Sequence, residues 1–108
     1  MTARAKLLLT ILIAIALSAE VGRAHAAAAD RGLTFVKTNC AICHAIGRYD
    51  ESPLAIAPPL RTLHEFYPVE ELEEALAEGI VTGHPSMPEF QLDLAQINDL
   101  IAYLKTLE

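Results

Sequence analysis

Hydrophobic and polar positions divide this chain into stretches of different period. From Leu7 to Leu17 it is apolar almost without interruption, broken only by Thr10. Leu33, Val36 and Cys40 then recur at i, i+3 and i+7 with Phe35 beside them, which is the spacing of one apolar helix face. Asp30 stands where it can cap that helix, predicted to run from about Arg31 into residues 40–44. Gly32 in its first turns lowers helix stability relative to alanine, and a glycine so placed often marks the close approach of another backbone.

Between Ala45 and Leu60 the periodicity stops. Gly47, Asp50, Ser52, Pro53, Pro58 and Pro59 are loop punctuation. A loop this long in a small domain carries function or wraps around something. Its apolar residues Ile56, Ala57 and Leu60 are the ones expected to cover what it wraps. Residues 61–66 are expected to form a short helix containing His64. Pro68 suits the first turn of the next helix, with Val69, Leu72, Leu76 and Ile80 as its buried stripe and Gly79 as its C-cap. Residues 81–90 are irregular again. Asp93 and Gln96 form a variant of the capping box. They open a last helix expected to bury Leu94, Ile97, Leu100, Ile101 and Leu104. Three periodic helices without a strand pattern predict an all-α fold.

The first apolar run has its own explanation. Arg4 and Lys6 precede it, small residues follow it, and Ala24-His25-Ala26 is an A-x-A site. That is the layout of a signal peptide over residues 1–26, with the cleavage position open by a few residues along Ala26 to Ala29. The run is about eleven residues long, short of the roughly 20 that span a bilayer, so a retained membrane anchor is the lesser alternative. Residues 27–108 then form a single domain of roughly 82 residues. A domain that small has a thin core and often depends on a metal, a disulfide or a cofactor.

Cys40-Ala41-Ile42-Cys43-His44 supplies the candidate chemistry. A C-x-x-C-H run is read as a c-type haem attachment site. Two thiols three positions apart on a helical turn can add across the two vinyl groups of one haem. The following histidine is then held beneath the porphyrin, where its imidazole can ligate the iron. The chain has no other cysteine. A thioredoxin-like pair wants a βαβ setting, which the pattern lacks. A zinc site needs four N/S ligands, and the adjacent Cys43-His44 pair suits it poorly. Export also favours a simple Cys40–Cys43 disulfide, against which His44 is the distinguishing residue.

Charge narrows the partners. The chain has 14 acidic and 8 basic residues, a net charge of −6. Removing residues 1–26 leaves five basic and thirteen acidic residues, a net charge of about −8. This argues against nucleic acid and against an anionic membrane surface. Glu70, Glu71, Glu73, Glu74 and Glu78 lie on the helix after Pro68, most simply as a solvated face and alternatively as a docking patch.

On the second face of the iron, an open position binds small molecules and a filled one favours electron transfer. Met87 is the only methionine besides Met1. It lies between Pro85 and Pro88, not on a helical core stripe, and its thioether suits haem iron. The alternatives are Met87 as a packing residue, or His84 or His64 as the ligand.

The domain resembles a small bacterial class I cytochrome c over nearly its whole length. The resemblance rests on Gly32 and Phe35 before Cys40-x-x-Cys43-His44, on Ala57-Pro58-Pro59-Leu60, on Met87-Pro88-Glu89-Phe90, and on residues 100–105. It implies a cytochrome c-like all-α domain of three to four helices around one covalent haem c. It further implies that Cys40 and Cys43 attach the haem and that His44 and Met87 ligate its iron. The Pro58 carbonyl would accept the hydrogen bond of His44 Nδ1–H, and Leu60 would pack on the haem. Gly32 would let the first helix cross the last against Leu100 and Tyr103. Mitochondrial relatives ring the haem edge with lysines; this chain is acidic, so their docking mode does not transfer. The expected function is one-electron transfer in the periplasm by a monomer, between a reductase and an oxidase or dehydrogenase. No enzymatic activity is expected. The alternatives are a cytochrome subunit of a dehydrogenase or oxidase complex and a haem-based sensor.

Overall fold

The computed structural model describes residues 1–80 and 86–108. Helix α1 spans Ala3–Asn39, α2 spans Leu72–Glu78 and α3 spans Leu94–Lys105. Two 3₁₀ helices, Leu60–Glu65 and Val69–Glu71, lie between α1 and α2. Among the described residues there is no strand, in accord with the all-α expectation.

The first helix differs from the sequence reading. Asp30 does not begin it: Thr2 does, its Oγ1 accepting from Ala5 N–H at 3.3 Å, and Asp30 lies exposed within a continuous 37-residue helix. The reason is local. Residues 3–29 are rich in alanine, leucine and isoleucine and contain no proline, so nothing stops the leader helix before the domain begins. Burial starts only at Ala28 and Ala29; the residues before them are almost all exposed. One 18-residue window of α1 reaches a mean hydropathy of 1.9, so by length and composition it can cross a membrane, a test that signal sequences also pass.

The core is built on the crossing of α1 with α3. Val36 is fully buried, and α3 buries Ile97, Leu100, Ile101, Tyr103 and Leu104. At the crossing, a Cβ on Gly32 would lie 2.0 Å from the Asp99 carbonyl oxygen and 2.7 Å from the Tyr103 Cβ. No side chain fits there, so glycine sets the interhelical distance. The nearest partner is the Asp99 backbone rather than Leu100. Arg31 closes the same junction with a two-pronged pair to Asp99, both contacts at 2.9 Å.

The predicted capping box opens α3: Gln96 N–H donates to Asp93 Oδ1 at 2.8 Å and Asp93 N–H to Gln96 Oε1 at 3.1 Å. Leu94, however, is 72% exposed. It shares the stripe of Ile97 but sits a turn earlier, where α3 has run past the core. The second helix begins as a 3₁₀ turn after Pro68 and becomes α-helical at Leu72. Val69 and Leu76 are buried, while Leu72 and Ile80 are half-buried against the same core. Gly79 ends α2 with φ 107°, a left-handed value that favours glycine.

Candidate haem-attachment site

Helix α1 delivers the attachment motif at its C-terminus. Cys40 is its C-cap, its N–H donating to Val36 O at 2.9 Å. The chain continues in a tight turn, with Cys43 N–H and His44 N–H both donating to Cys40 O, at 3.1 and 2.9 Å. Both thiols are free and half-buried. Burial pushes the Cys40 thiol up to about 11, keeping it protonated at neutral pH.

His44 is fixed from the far side of the loop. Its Nδ1 lies 2.7 Å from the Pro58 carbonyl oxygen. A carbonyl only accepts, so Nδ1 carries the proton and Nε2 keeps the lone pair a metal would take. Leu60, two residues on, is buried, and its N–H donates to Ala45 O at 2.9 Å, so the strand of loop carrying Pro58 is stitched to the residue after His44.

Residues that the sequence marked only as loop punctuation hold this region in shape. Ser52 Oγ accepts from the N–H of fully buried Ala45 at 2.9 Å. Asp50 accepts from Ile46 N–H at 3.0 Å and Gly47 N–H at 2.9 Å. Partial desolvation acts to raise the Asp50 carboxyl, but backbone hydrogen bonds from its own amide, Ile46 and Gly47, together with Arg61, hold it below the ordinary carboxylate value. Arg61 donates to Asp50 O at 2.7 Å, Arg48 reaches Thr106 O, and the Tyr103 hydroxyl donates to Ile46 O. The sequence signal for this was present in type but not in pairing: short Asp and Ser side chains bond nearby backbone amides.

Met87 is half-buried. Its loop is anchored on both sides, by Ile80 N–H to Phe90 O at 3.0 Å and by Leu92 N–H to Leu76 O at 2.8 Å. Phe90 meets Phe35 of α1 edge to face, with ring centroids 6.2 Å apart. That contact links the methionine loop to the helix that carries the cysteines. Gly83, His84 and Pro85 lie outside the described residues, so His84 has no described position as a rival ligand. His64 is exposed on its 3₁₀ helix, in a groove with Tyr67, Lys105 and Glu108. Among the described residues no cluster of three or more His, Cys, Asp and Glu side chains assembles for a metal, as a zinc site would require. Of the loop's apolar residues, Ala57 and Leu60 are buried, and Ile56, at the corner of the turn closed by Ala57 N–H on Leu54 O, is 60% exposed.

Residues 29–108 match the family Cytochrome c. The chain belongs to the cytochrome c family. A "Cytochrome c-553-like" protein of Synechocystis sp. is 32% identical over 80 residues, covering 73% of this chain and 69% of that one. A "Cytochrome c-552" of Bradyrhizobium diazoefficiens is 28% identical over 97 residues, covering 90% of this chain and 91% of that one. No solved structure matches significantly. The family carries covalent haem c, and the residues of this cytochrome fit the group. Two half-buried thiols three positions apart precede an imidazole already oriented by a carbonyl, and Cys40 packs on the same core as the half-buried Leu33, Phe35, Ile46, Ile80 and Phe90.

Proposed function

We propose that this cytochrome is an exported, periplasmic one-electron carrier. Cys40 and Cys43 would hold the haem by thioether bonds, and His44 Nε2 and Met87 Sδ would be its axial ligands. When bound, the haem supplies a Fe(III)/Fe(II) couple whose potential methionine ligation raises. The observation carrying the reading is the 2.7 Å contact of His44 Nδ1 with the Pro58 carbonyl. It selects the tautomer, stops the ring from rotating and makes Nε2 a better donor. Ala57 and Leu60, on either side of the Pro58-Pro59 pair, are buried and hold that stretch of loop against the protein. The leader of residues 1–26 supports export, since c-type haem is attached outside the cytoplasm in bacteria.

Absorbance spectra of protein exported together with a haem-maturation system test the assignment. A c-type spectrum is expected, with the weak red sulfur-to-ferric-iron band lost in Met87→Ala. A low-spin spectrum unchanged by that substitution would move the ligand to His84 or His64. Immediate carbon monoxide binding by the reduced wild type would favour a sensor.

One observation favours a second reading, a subunit of a periplasmic dehydrogenase or oxidase. A groove of about 680 Å³, lined by Ala77, Leu94 and Ile97 together with Glu70, Glu71, Glu73 and Glu74, runs between α3 and the segment formed by α2 and the 3₁₀ helix before it. A free carrier elutes at monomer size; a subunit co-purifies with its enzyme.

A further inference from the structure

The basic residues of the domain are nearly all engaged within it. Of the five in residues 27–108, Arg31 pairs with Asp99, Arg48 reaches Thr106 O, Arg61 donates to Asp50 O and Lys105 pairs with Glu70. The fifth, Lys37, stands exposed on α1. Glu71, Glu73 and Glu74 are exposed, and none of them has an ion-pair partner among the described residues. All three line the groove between α3 and the α2 segment.

Apolar side chains line it too. Leu94, 72% exposed, and Ile97 lie one turn apart on α3, and the exposed Ala77 joins them from α2. The groove thus offers unneutralised carboxylates and open apolar surface together.

Its chemistry selects the occupant. The carboxylates do not converge on a point: among the described residues no group of three or more His, Cys, Asp and Glu side chains is placed to hold a metal ion. Glu71 and Glu74 stand one turn apart, about 5 Å along the helix, which matches cations recurring at i, i+3 and i+4 on an opposing helix. No strand exists among the described residues to offer an edge, so a partner segment enters as a helix laid in the groove and not as an added strand. A second copy would set glutamates against glutamates on domains of about −8 net charge each.

We propose that the groove lined by Glu71, Glu73, Glu74, Ala77 and Leu94 docks a basic amphipathic helix of a partner protein. Lysines or arginines of that helix meet the glutamates, and its apolar side chains meet Leu94 and Ala77. The proposal rests on the subunit reading and names the partner's chemistry. The groove shares no residue with the attachment motif, the loop from Ala45 to Leu60 or Met87. Docking there holds the cytochrome by residues other than those that carry the haem.

The probe is a peptide of about 14 leucines, lysines and alanines set at helical period, and a peptide of the same composition in alternating order is the control. Each is titrated calorimetrically into the haem-loaded, exported protein. The wild type is expected to bind the helical-period peptide about tenfold more tightly than the control, with an affinity that falls about tenfold between low and high salt. Glu71→Gln with Glu74→Gln is expected to lose about tenfold at low salt and most of the salt dependence. Leu94→Ser is expected to lose about fivefold and to keep the salt dependence. Asp30→Asn with Glu51→Gln removes the same charge from exposed positions outside the groove and should change the affinity by less than about twofold. The haem absorbance should stay at wild-type values throughout.

Equal binding of the two peptides would overturn the proposal, because only the net charge of the domain would then attract them. Equal losses in the two charge-removing variants would overturn it for the same reason. A Leu94→Ser variant that binds like wild type would remove the apolar contact and refute an amphipathic partner. A wild-type dimer dissociated by Leu94→Ser would make a second copy the occupant and refute it as well. The subunit reading fails separately, and takes the proposal with it, if the protein elutes alone at monomer size from its own host's periplasm while the peptide affinities remain as expected.

Discussion

The crossing of α1 and α3 and the loop from Ala45 to Leu60 are both fixed in place, but by different physics. The crossing is a matter of shape: Gly32 against the Asp99 carbonyl, Val36 without exposure, and a stripe of α3 buried behind them. The loop holds few buried side chains and is directed instead by hydrogen bonds from Ser52, Asp50, Arg61 and Tyr103 and by the Pro58 carbonyl on His44. Shape fails abruptly when a methyl group is added. Hydrogen bonds fail one at a time. The framework is thus built to be rigid, and the wall beside the imidazole can be altered without loss of the fold.

Adding a methyl at the crossing should have the largest effect. Gly32→Ala places a carbon 2.0 Å from a backbone oxygen, which no rotamer relieves. The two helices must separate, at a loss of about 3 kcal/mol or more. Thermal unfolding of the haem-loaded protein should show a lowered Tm with the ligation spectrum kept until the transition. A Tm within a degree or two of wild type would show that the crossing is not close-packed.

Much of this contrast was legible beforehand. Apolar spacing placed the buried stripes of α2 and α3, D-x-x-Q marked the capping box, and Gly32 marked the crossing. The loop was legible only as a loop, because which amide Asp50 or Ser52 takes depends on how 16 residues between Ala45 and Leu60 fold back on themselves. Asp30 misled for a different reason. It is a competent cap, but a cap matters only where a helix starts, and the alanine-rich leader had already started this one at Thr2. Leu94 misled because periodicity identifies a face and not where the opposing core ends.

Within the loop, the larger loss should come from Ser52→Ala. It removes the acceptor for the N–H of Ala45, a residue with no exposure, and no water can replace it freely. An orphaned buried amide costs about 1–3 kcal/mol. Chemical denaturation should move the midpoint with the slope unchanged. Because Ala45 follows His44, the absorbance of the haem should also shift slightly, a readout that a remote stability mutation would leave alone.

Tyr103→Phe should follow, at about 1 kcal/mol, since it deletes the hydrogen bond to Ile46 O but keeps the ring between the helices. Its signature is in alkali. Burial, with the Asp50 charge nearby adding to it and Arg48 opposing, raises the phenol above its ordinary value near 10. A raised folded value means stability that is present below pH of about 10 and lost as pH climbs through the folded value. The phenylalanine variant should start less stable and decline less steeply over that range.

Asp50→Asn is expected to have the smallest effect at neutral pH, and its value lies in its pH profile. The asparagine oxygen can still accept from one of the two amides, and the carboxylate it replaces is exposed, so solvent and salt already weaken its pairing with Arg61 at 3.8 Å. The Asp50 carboxyl is held below its ordinary value. A depressed folded value contributes stability that is fully present above the unfolded value of about 4 and lost as pH falls through the folded one. Wild type and Asp50→Asn should therefore differ by a few degrees in Tm at neutral pH and converge below that window. If the two curves stay parallel into acid, the loop is held by its backbone and by Ser52 alone. If they converge, a charged acceptor helps to set the wall on which His44 leans, and the hydrogen-bonded half of the molecule responds to pH while the close-packed half does not.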